Sequence, residues 1–238
     1  MRAALLLLGL LLFGFTAHAQ TLDVVFDIDW TLVYPLKEAP PKITKDIIEV
    51  HGQYYRISDG ASEVLSSLKQ KKDIRISFFS GGDKARNLEL LGKIKLSDKE
   101  SAADLAYKIL HKEDLLKISE DPSLPFTSQY KKDLSLVNSD LDRVILIDDS
   151  KDFTLPQQRK NQLWLGETYN FYENASELPT IPRQYDPPDL ARWSEERRKL
   201  LTVQELIEDL YDKKHQPNLL DHMPKRLPSK LHPCNQYF

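Results

Sequence analysis

The sequence of 238 residues predicts an α/β fold in which a parallel β-sheet is flanked by helices. Short apolar runs at Leu22–Phe26, Ile74–Phe79 and residues 144–147 indicate strands that are buried on both faces. Segments with helical spacing of apolar residues separate these runs, and this alternation is typical of a parallel sheet with right-handed crossovers. Polar residues follow each run, at the sheet edge where open α/β folds bind ligands.

After the first strand, the chain is predicted to pass through a hairpin into a helix. Three prolines within residues 33–44 favour an irregular flap. Alternating apolar residues in 47–57 predict a hairpin that turns at Gly52. Val64 and Leu68 lie at helical spacing and predict the helix before the second strand. The insert after the first strand is therefore small and hairpin-like, without a large cap.

The second half of the domain is predicted to continue this alternation. Residues 83–93 indicate a helix after the second strand, and residues 102–110 and 114–118 indicate two further amphipathic helical pieces. The third strand at 144–147 is followed by one more short strand at 163–165. We expect a single domain over residues 20–181, since this length is sufficient for one full core.

Residues 182–238 are predicted to form a charged helical extension and an irregular tail. A highly charged helical pattern covers residues 190–211. Its apolar anchors are Trp193, Leu200, Leu201, Leu206, Ile207 and Leu210. The helix is expected either to dock a partner or to pack back on the domain. Cys234 is the single cysteine, so an internal disulfide is excluded and the oligomeric state stays open.

The first 19 residues have the features of a secretory signal peptide. Arg2 precedes the apolar run 3–15, and Ala17-His-Ala19 fits a small-residue cleavage site. We therefore expect an exported protein, periplasmic or secreted; an uncleaved membrane anchor is the alternative. The net charge of −3 gives no electrostatic reason to expect nucleic acid as a partner. No later run is long and apolar enough to predict membrane association after cleavage.

Two aspartates, Asp27 and Asp29, follow the first strand and are separated by one residue. Neighbouring carboxylates repel each other, and a hard cation would offset that repulsion. One carboxylate could then attack phosphorus while the other transfers a proton. A solvated, aspartate-rich turn is the alternative interpretation.

The other two strands also end in residues that could bind a phosphate group or a cation. Ser80 follows the second strand, and Gly81 lets the backbone amides approach an anion. Asp148 and Asp149 end the third strand, and Lys132 lies between these two groups in the sequence. Phosphoryl transfer needs a nucleophile, a cation site, positive charge on the phosphate oxygens and an acid. The combination predicts this reaction, although Ser80 alone is typical of a helix cap and Lys132 alone of a surface lysine.

The motifs resemble those of a known superfamily. The segments Phe26-Asp-Ile-Asp-Trp-Thr-Leu-Val33, Phe78-Phe-Ser-Gly-Gly82 and Ile145-Leu-Ile-Asp-Asp-Ser150, together with Lys132, resemble the four motifs of the haloacid-dehalogenase (HAD) phosphohydrolases. Tyr130-Lys-Lys-Asp-Leu-Ser-Leu136 is similar to a signature of one branch. That branch contains the NLI-interacting-factor-like proteins and the small phosphatases of the RNA polymerase II C-terminal domain. The resemblance covers residues 22–165.

The resemblance implies a HAD-like fold, magnesium dependence and a role for each motif residue. The implied roles are Asp27 as the phosphorylated nucleophile, Asp29 as general acid and base with a magnesium-binding carbonyl, Ser80 and Lys132 as phosphate contacts, and Asp149 with Asp148 as metal ligands. The chain departs from the branch at Trp30 and at Gly81-Gly82-Asp83, and it has a longer segment between Ser80 and Lys132. Trp30 is expected either to contact the substrate or to pack under the flap.

The expected function is that of an exported, Mg²⁺-dependent phosphomonoesterase that acts through an aspartyl-phosphate. A site without a large cap favours a phosphoprotein substrate, and small phosphomonoesters are the other possibility. Two alternatives remain at this point: a secreted nucleotidase or broad acid phosphatase, and a HAD-like binding module without activity.

Overall fold

The computed structural model describes residues 21–228, so the predicted signal peptide and Cys234 lie outside the described residues. Within this range the α-helices are α1 Ala61–Lys69, α2 Lys84–Lys93, α3 Ala102–Leu105, α4 Phe126–Gln129 and α5 Leu190–Asp212. The strands are β1 Leu22–Phe26, β2 Val33–Pro35, β3 Ile47–Val50, β4 Gln53–Ile57, β5 Ile74–Phe79, β6 Lys95–Ser97, β7 Glu100–Ser101, β8 Lys108–Leu110, β9 Leu116–Lys117, β10 Tyr130–Lys131, β11 Val144–Asp148 and β12 Gln162–Trp164.

A parallel sheet of five strands forms the centre of the molecule, in the order β12-β11-β1-β5-β8. β1 is the middle strand and pairs with β11 on one side and β5 on the other. The three strands predicted from apolar runs are therefore adjacent, and the α/β class with a parallel sheet is confirmed. Because the strands are parallel, the polar residues that follow them lie along one edge.

Each face of the sheet has its own hydrophobic core, which explains why the strands are continuously apolar. Val24 and Phe26 point into the larger core, together with the buried residues of α1, α2 and α5. Val25 points to the opposite face, where it packs with Phe79 and Leu134. Alternate residues of one strand thus enter two cores, as expected from the twofold periodicity of a β-strand.

The insert between β1 and α1 is the predicted hairpin, with one further strand. β3 and β4 are antiparallel and turn at His51 and Gly52, which have φ angles of 51° and 77°. β2 adds to the other side of β4, so the prediction of an irregular flap was wrong for residues 33–35. Within the described chain, this insert contains no helix and forms no large cap.

The segment between α2 and β10 differs from the prediction of two amphipathic helical pieces. Only Ala102–Leu105 is helical, and Lys108–Leu110 is the edge strand β8, whose Ile109 pairs with Phe78 of β5. Residues 114–118 contain the end of a 3₁₀ turn and strand β9 instead of a helix. The spacing of apolar residues did not distinguish these cases because short apolar segments fit both periods.

Helix α5 packs into the core of the domain. Asp189 caps the helix by accepting a hydrogen bond from Arg192 N at 2.8 Å. Leu200 and the residues one and two turns further, Val203 and Ile207, belong to the larger core. Leu201, a predicted anchor, instead lies on the outer face, 39% exposed. Within residues 21–228, no helix is long and apolar enough to cross a membrane.

Replacing Leu200 with Ala is expected to lower the free energy of unfolding by about 2–5 kcal/mol, because it opens a cavity in the core under α5. Leu201→Ala, one residue further along the same helix, is the matched control and should cost less than about 1 kcal/mol. Urea unfolding followed by circular dichroism measures both. Similar losses for the two variants would contradict the described packing of α5.

Candidate active site

The carboxyl ends of the three central strands place the predicted site residues together. Phe26 of β1 pairs with Ile147 of β11 and Phe78 of β5, so the next residues along each strand emerge side by side. The backbone N–H of Asp27 continues this pairing and donates to the carbonyl of Ile147 at 2.9 Å. Asp27, Ser80 and Asp148 are all buried at this edge.

Lys132 connects two of these carboxylates. Its Nζ donates to Oδ1 of Asp27 and to Oδ2 of Asp148, each at 2.6 Å, and the side chain is completely buried. The backbone N–H of Lys132 donates to the carbonyl of Phe153 at 2.8 Å, which fixes where the side chain enters. The Phe153 ring lies 4.6 Å from the ammonium group and helps to exclude water from it.

The buried charges shift one another's pKa values. Burial raises the pKa of Asp27 well above its ordinary value, while the charge of Lys132 opposes that rise. Burial lowers the pKa of Lys132, but the charges of Asp148 and Asp27 outweigh burial, so its pKa is raised. Burial, with the charge of Asp148, raises the pKa of Asp149 to about 6. One lysine therefore does not compensate all the negative charge at this edge.

Three carboxylates at this edge fit a magnesium ion. Asp27, Asp148 and Asp149 each offer an oxygen, and these oxygens all lie within 4.8 Å of one another. Carboxylate oxygens are the ligands that Mg²⁺ prefers in proteins. Ser150 N donates to Oδ1 of Asp148 at 2.7 Å, and the Thr168 hydroxyl donates to Oδ2 of Asp149 at 3.1 Å. These two hydrogen bonds orient the carboxylates.

The side chain of Asp29 does not join the cluster of three carboxylates that could hold a metal ion. It points toward Ser80, which follows β5, and toward Arg86 of α2. Oδ2 accepts a hydrogen bond from the hydroxyl of Ser80 at 3.3 Å. Oδ1 forms an ion pair with Arg86 of α2, a residue to which the sequence pattern assigned no function. Ser80 in turn accepts from Gly82 N at 3.0 Å. The magnesium-binding role predicted for Asp29 concerns its backbone carbonyl and stays a prediction.

The turn after Asp29 depends on helix α5. Trp30 has a φ of 59°, in the left-handed region that a bulky residue seldom adopts. Its N–H donates to the carbonyl of Val33 at 2.7 Å, and its carbonyl accepts from Lys199 Nζ at 2.9 Å. Lys199 is 6% exposed and also pairs with Glu196 at 2.7 Å. A buried ion pair of the C-terminal helix therefore holds the active-site turn.

An open cleft of about 340 Å³ leads to Asp27, Asp29 and Asp149. Trp30 lines this cleft, and its ring also packs edge to face on Tyr34 with the ring centroids 5.9 Å apart. Other rings lining the cleft belong to Phe126 and Phe153, whose centroids lie 5.9 Å apart. Phe126 lies between α2 and Lys132, and the sequence analysis did not identify it as a site residue.

The family model for NLI interacting factor-like phosphatases matches residues 22–180, and the chain belongs to this family. It is also similar to two solved structures of the RNA polymerase II CTD phosphatase Fcp1. One is a fission yeast Fcp1 variant bound to beryllium fluoride, with 16% identity and a TM-score of 0.43. The other, described as an essential phosphatase, has 16% identity and a TM-score of 0.44.

Both alignments cover 90% of this chain and 59% of the Fcp1 chain, so the chain spans less than two thirds of Fcp1. Among curated proteins, none matches the sequence. The family match ends before α5, the helix that carries Lys199.

Replacing Lys132 with Met is expected to lower the free energy of unfolding by about 3–5 kcal/mol, because two buried carboxylates lose their shared cation. Lys131→Met is the control. Lys131 is also buried, but its ammonium group donates to the backbone carbonyl of Asp152, so we expect a loss of about 1 kcal/mol. Urea unfolding in EDTA compares the variants without metal. Equal losses would contradict the central role of Lys132.

Proposed function

We propose that this chain is a Mg²⁺-dependent phosphomonoesterase in which Asp27 becomes phosphorylated. The observation that carries the proposal is the geometry around Asp27: Lys132 holds Oδ1 at 2.6 Å, and Asp148 and Asp149 complete a group of metal-binding oxygens. Membership of a phosphatase family supports the same reaction. A binding module would not require a buried lysine and three buried or half-buried carboxylates, which are costly to keep.

In the first step, a carboxylate oxygen of Asp27 forms a bond to phosphorus as the ester P–O bond breaks. Because Lys132 engages Oδ1, Oδ2 is the oxygen that remains for the attack. Asp29 in its protonated form gives its proton to the leaving oxygen and becomes the carboxylate that pairs with Arg86. When bound by Asp27, Asp148 and Asp149, magnesium supplies positive charge to the phosphoryl oxygens.

In the second step, Asp29 accepts a proton from water as the water oxygen attacks phosphorus. The bond between phosphorus and Asp27 breaks, which releases inorganic phosphate and restores the Asp27 carboxylate. We assign the contacts with the phosphoryl group in both steps to the Ser80 hydroxyl, 3.3 Å from Asp29, and to the buried Lys132.

The proposed substrate is a phosphoprotein. The cleft is open, and the three-stranded insert between β1 and α1 contributes no strand residue to its lining, so a chain segment can reach the site. Fcp1 is described as a phosphatase of the RNA polymerase II CTD; for this chain we propose the broader class of phosphorylated peptides. Comparing phosphopeptides with nucleoside monophosphates separates this proposal from a nucleotidase.

Asp27→Asn is expected to abolish hydrolysis of p-nitrophenyl phosphate, because an amide oxygen is a poor nucleophile and a poor metal ligand. EDTA should have the same effect on the unchanged chain, and added Mg²⁺ should restore activity. Asp98→Asn, at an exposed aspartate away from the cleft, is the control and should keep full activity. Substantial turnover by the Asp27→Asn variant would refute the proposed nucleophile.

We also propose that the protein is exported, on the basis of the apolar run and the Ala17-His-Ala19 site alone. Intact mass and N-terminal sequencing of the expressed protein should give a mature chain that starts at Gln20. Leu7→Arg, which interrupts the apolar run, should prevent processing. A full-length chain that remains inside the cell would contradict this proposal.

A further inference from the structure

Arg86 reaches the active-site cleft from the first turn of α2. Its guanidinium forms an ion pair with Oδ1 of Asp29, the carboxylate whose other oxygen accepts from Ser80. The side chain lines the cleft and is 16% exposed. Arg86 therefore lies beside the same carboxylate as the predicted phosphate contact Ser80.

Two further contacts hold the guanidinium in place. Nε donates to the Tyr55 hydroxyl at 3.2 Å, and Nη1 donates to Oδ1 of Asn87 at 3.2 Å. Asn87 is itself buried and donates to the carbonyl of Gly82 at 2.9 Å. Arg86 is thus oriented by partners from the hairpin and from its own helix before any substrate arrives.

Gly82 makes this position of Arg86 possible. A methyl group added at Gly82 would overlap the Arg86 guanidinium and would lie 2.6 Å from Oδ1 of Asn87. The glycine, one of the departures from the branch, therefore leaves space for the guanidinium to cross the backbone toward Asp29. The severe overlap is with the end of a flexible side chain, so an alanine at 82 is expected to displace Arg86, together with a smaller shift of the Asn87 side chain.

We propose that Arg86 is a substrate-binding residue that contacts the phosphoryl oxygens of a phosphate monoester, an inference that rests on the proposed function. A guanidinium has five N–H donors in a planar fork that matches phosphate. Among the described residues, hydrogen bonds to Asp29, Tyr55 and Asn87 engage three nitrogens and leave donors available. A dianionic phosphoryl group beside Asp29 gives Arg86 a second anionic partner.

The proposal also agrees with the charges lining the site. Asp27, Asp29 and Asp149 line the cleft, and Arg86 is the cation that lines it among the described residues. Lys132 is already committed to two carboxylates at 2.6 Å. Arg86 therefore supplies the positive charge that a bound phosphate dianion requires besides the metal.

Four variants test this contact: Arg86→Gln, Gly82→Ala, the double variant, and Gly92→Ala as control. Gly92 is in the same helix, and a methyl group there meets nothing within 4 Å. Arg86→Gln should raise the KM for p-nitrophenyl phosphate and the Ki of inorganic phosphate by about tenfold to a hundredfold, with a smaller fall in kcat. Gly82→Ala should act in the same direction, and Gly92→Ala should leave both constants unchanged.

The double variant shows whether the two positions act through one contact. If Gly82→Ala works by displacing Arg86, adding it to Arg86→Gln should change the Ki of phosphate by less than twofold. Independent effects that multiply would refute the coupling. A Ki of Arg86→Gln within twofold of the unchanged chain, or a fall in kcat alone, would overturn the substrate contact and leave Arg86 as a residue that only positions Asp29.

Calorimetry separates failure of this proposal from failure of the proposed function. Inorganic phosphate is titrated into the folded, unchanged chain and the Arg86→Gln variant in the presence of Mg²⁺. If the unchanged chain hydrolyses nothing but binds phosphate more tightly than the variant, the function is wrong and the Arg86 contact stands. Equal binding, or no binding to either protein, overturns the Arg86 contact.

Discussion

The buried contact of Lys132 with Asp27 and Asp148 is the interaction on which the site depends. The two carboxylates lie at the ends of adjacent strands, and their repulsion would oppose pairing of β1 with β11 at this edge. The lysine offsets that repulsion from a position where water is excluded by Phe153. The same contact fixes which oxygen of Asp27 is free, so the stability of the sheet edge and the proposed chemistry share one cation.

The sheet and the motif residues could be predicted because both follow from local patterns. Continuous apolar strands with terminal aspartates identify the central strands and place Asp27 and Asp148 on one edge. The edge strand β8 was missed because its three residues fit a helical period as well as an extended one. The outer face of α5 was also misassigned at Leu201, since a charged helix with many apolar residues does not define which face is buried.

Arg86 and Lys199 could not be predicted, since each acts through a contact with a residue distant in the sequence. Arg86 meets Asp29 across 57 residues and Lys199 meets Trp30 across 169. A lysine or arginine in a charged helix is usually solvated, so its residue type carries no signal of burial. The local feature in the sequence that relates to Arg86 is the glycine at position 82. Its need for glycine becomes clear only from the structure, where a side chain at 82 would overlap the Arg86 guanidinium.

Because Lys199 holds the carbonyl of Trp30, the turn after Asp29 gains this support only after α5 has been synthesised. A ribosome makes Asp27, at the end of β1, 105 residues before Lys132, and Lys199 follows near the end of the described chain. Contacts of such long range close late in folding. A partly synthesised chain therefore carries the acidic motif without its geometry, and a fragment that ends with the family-matched segment at residue 180 would contain every motif residue yet lack the donor that holds the turn.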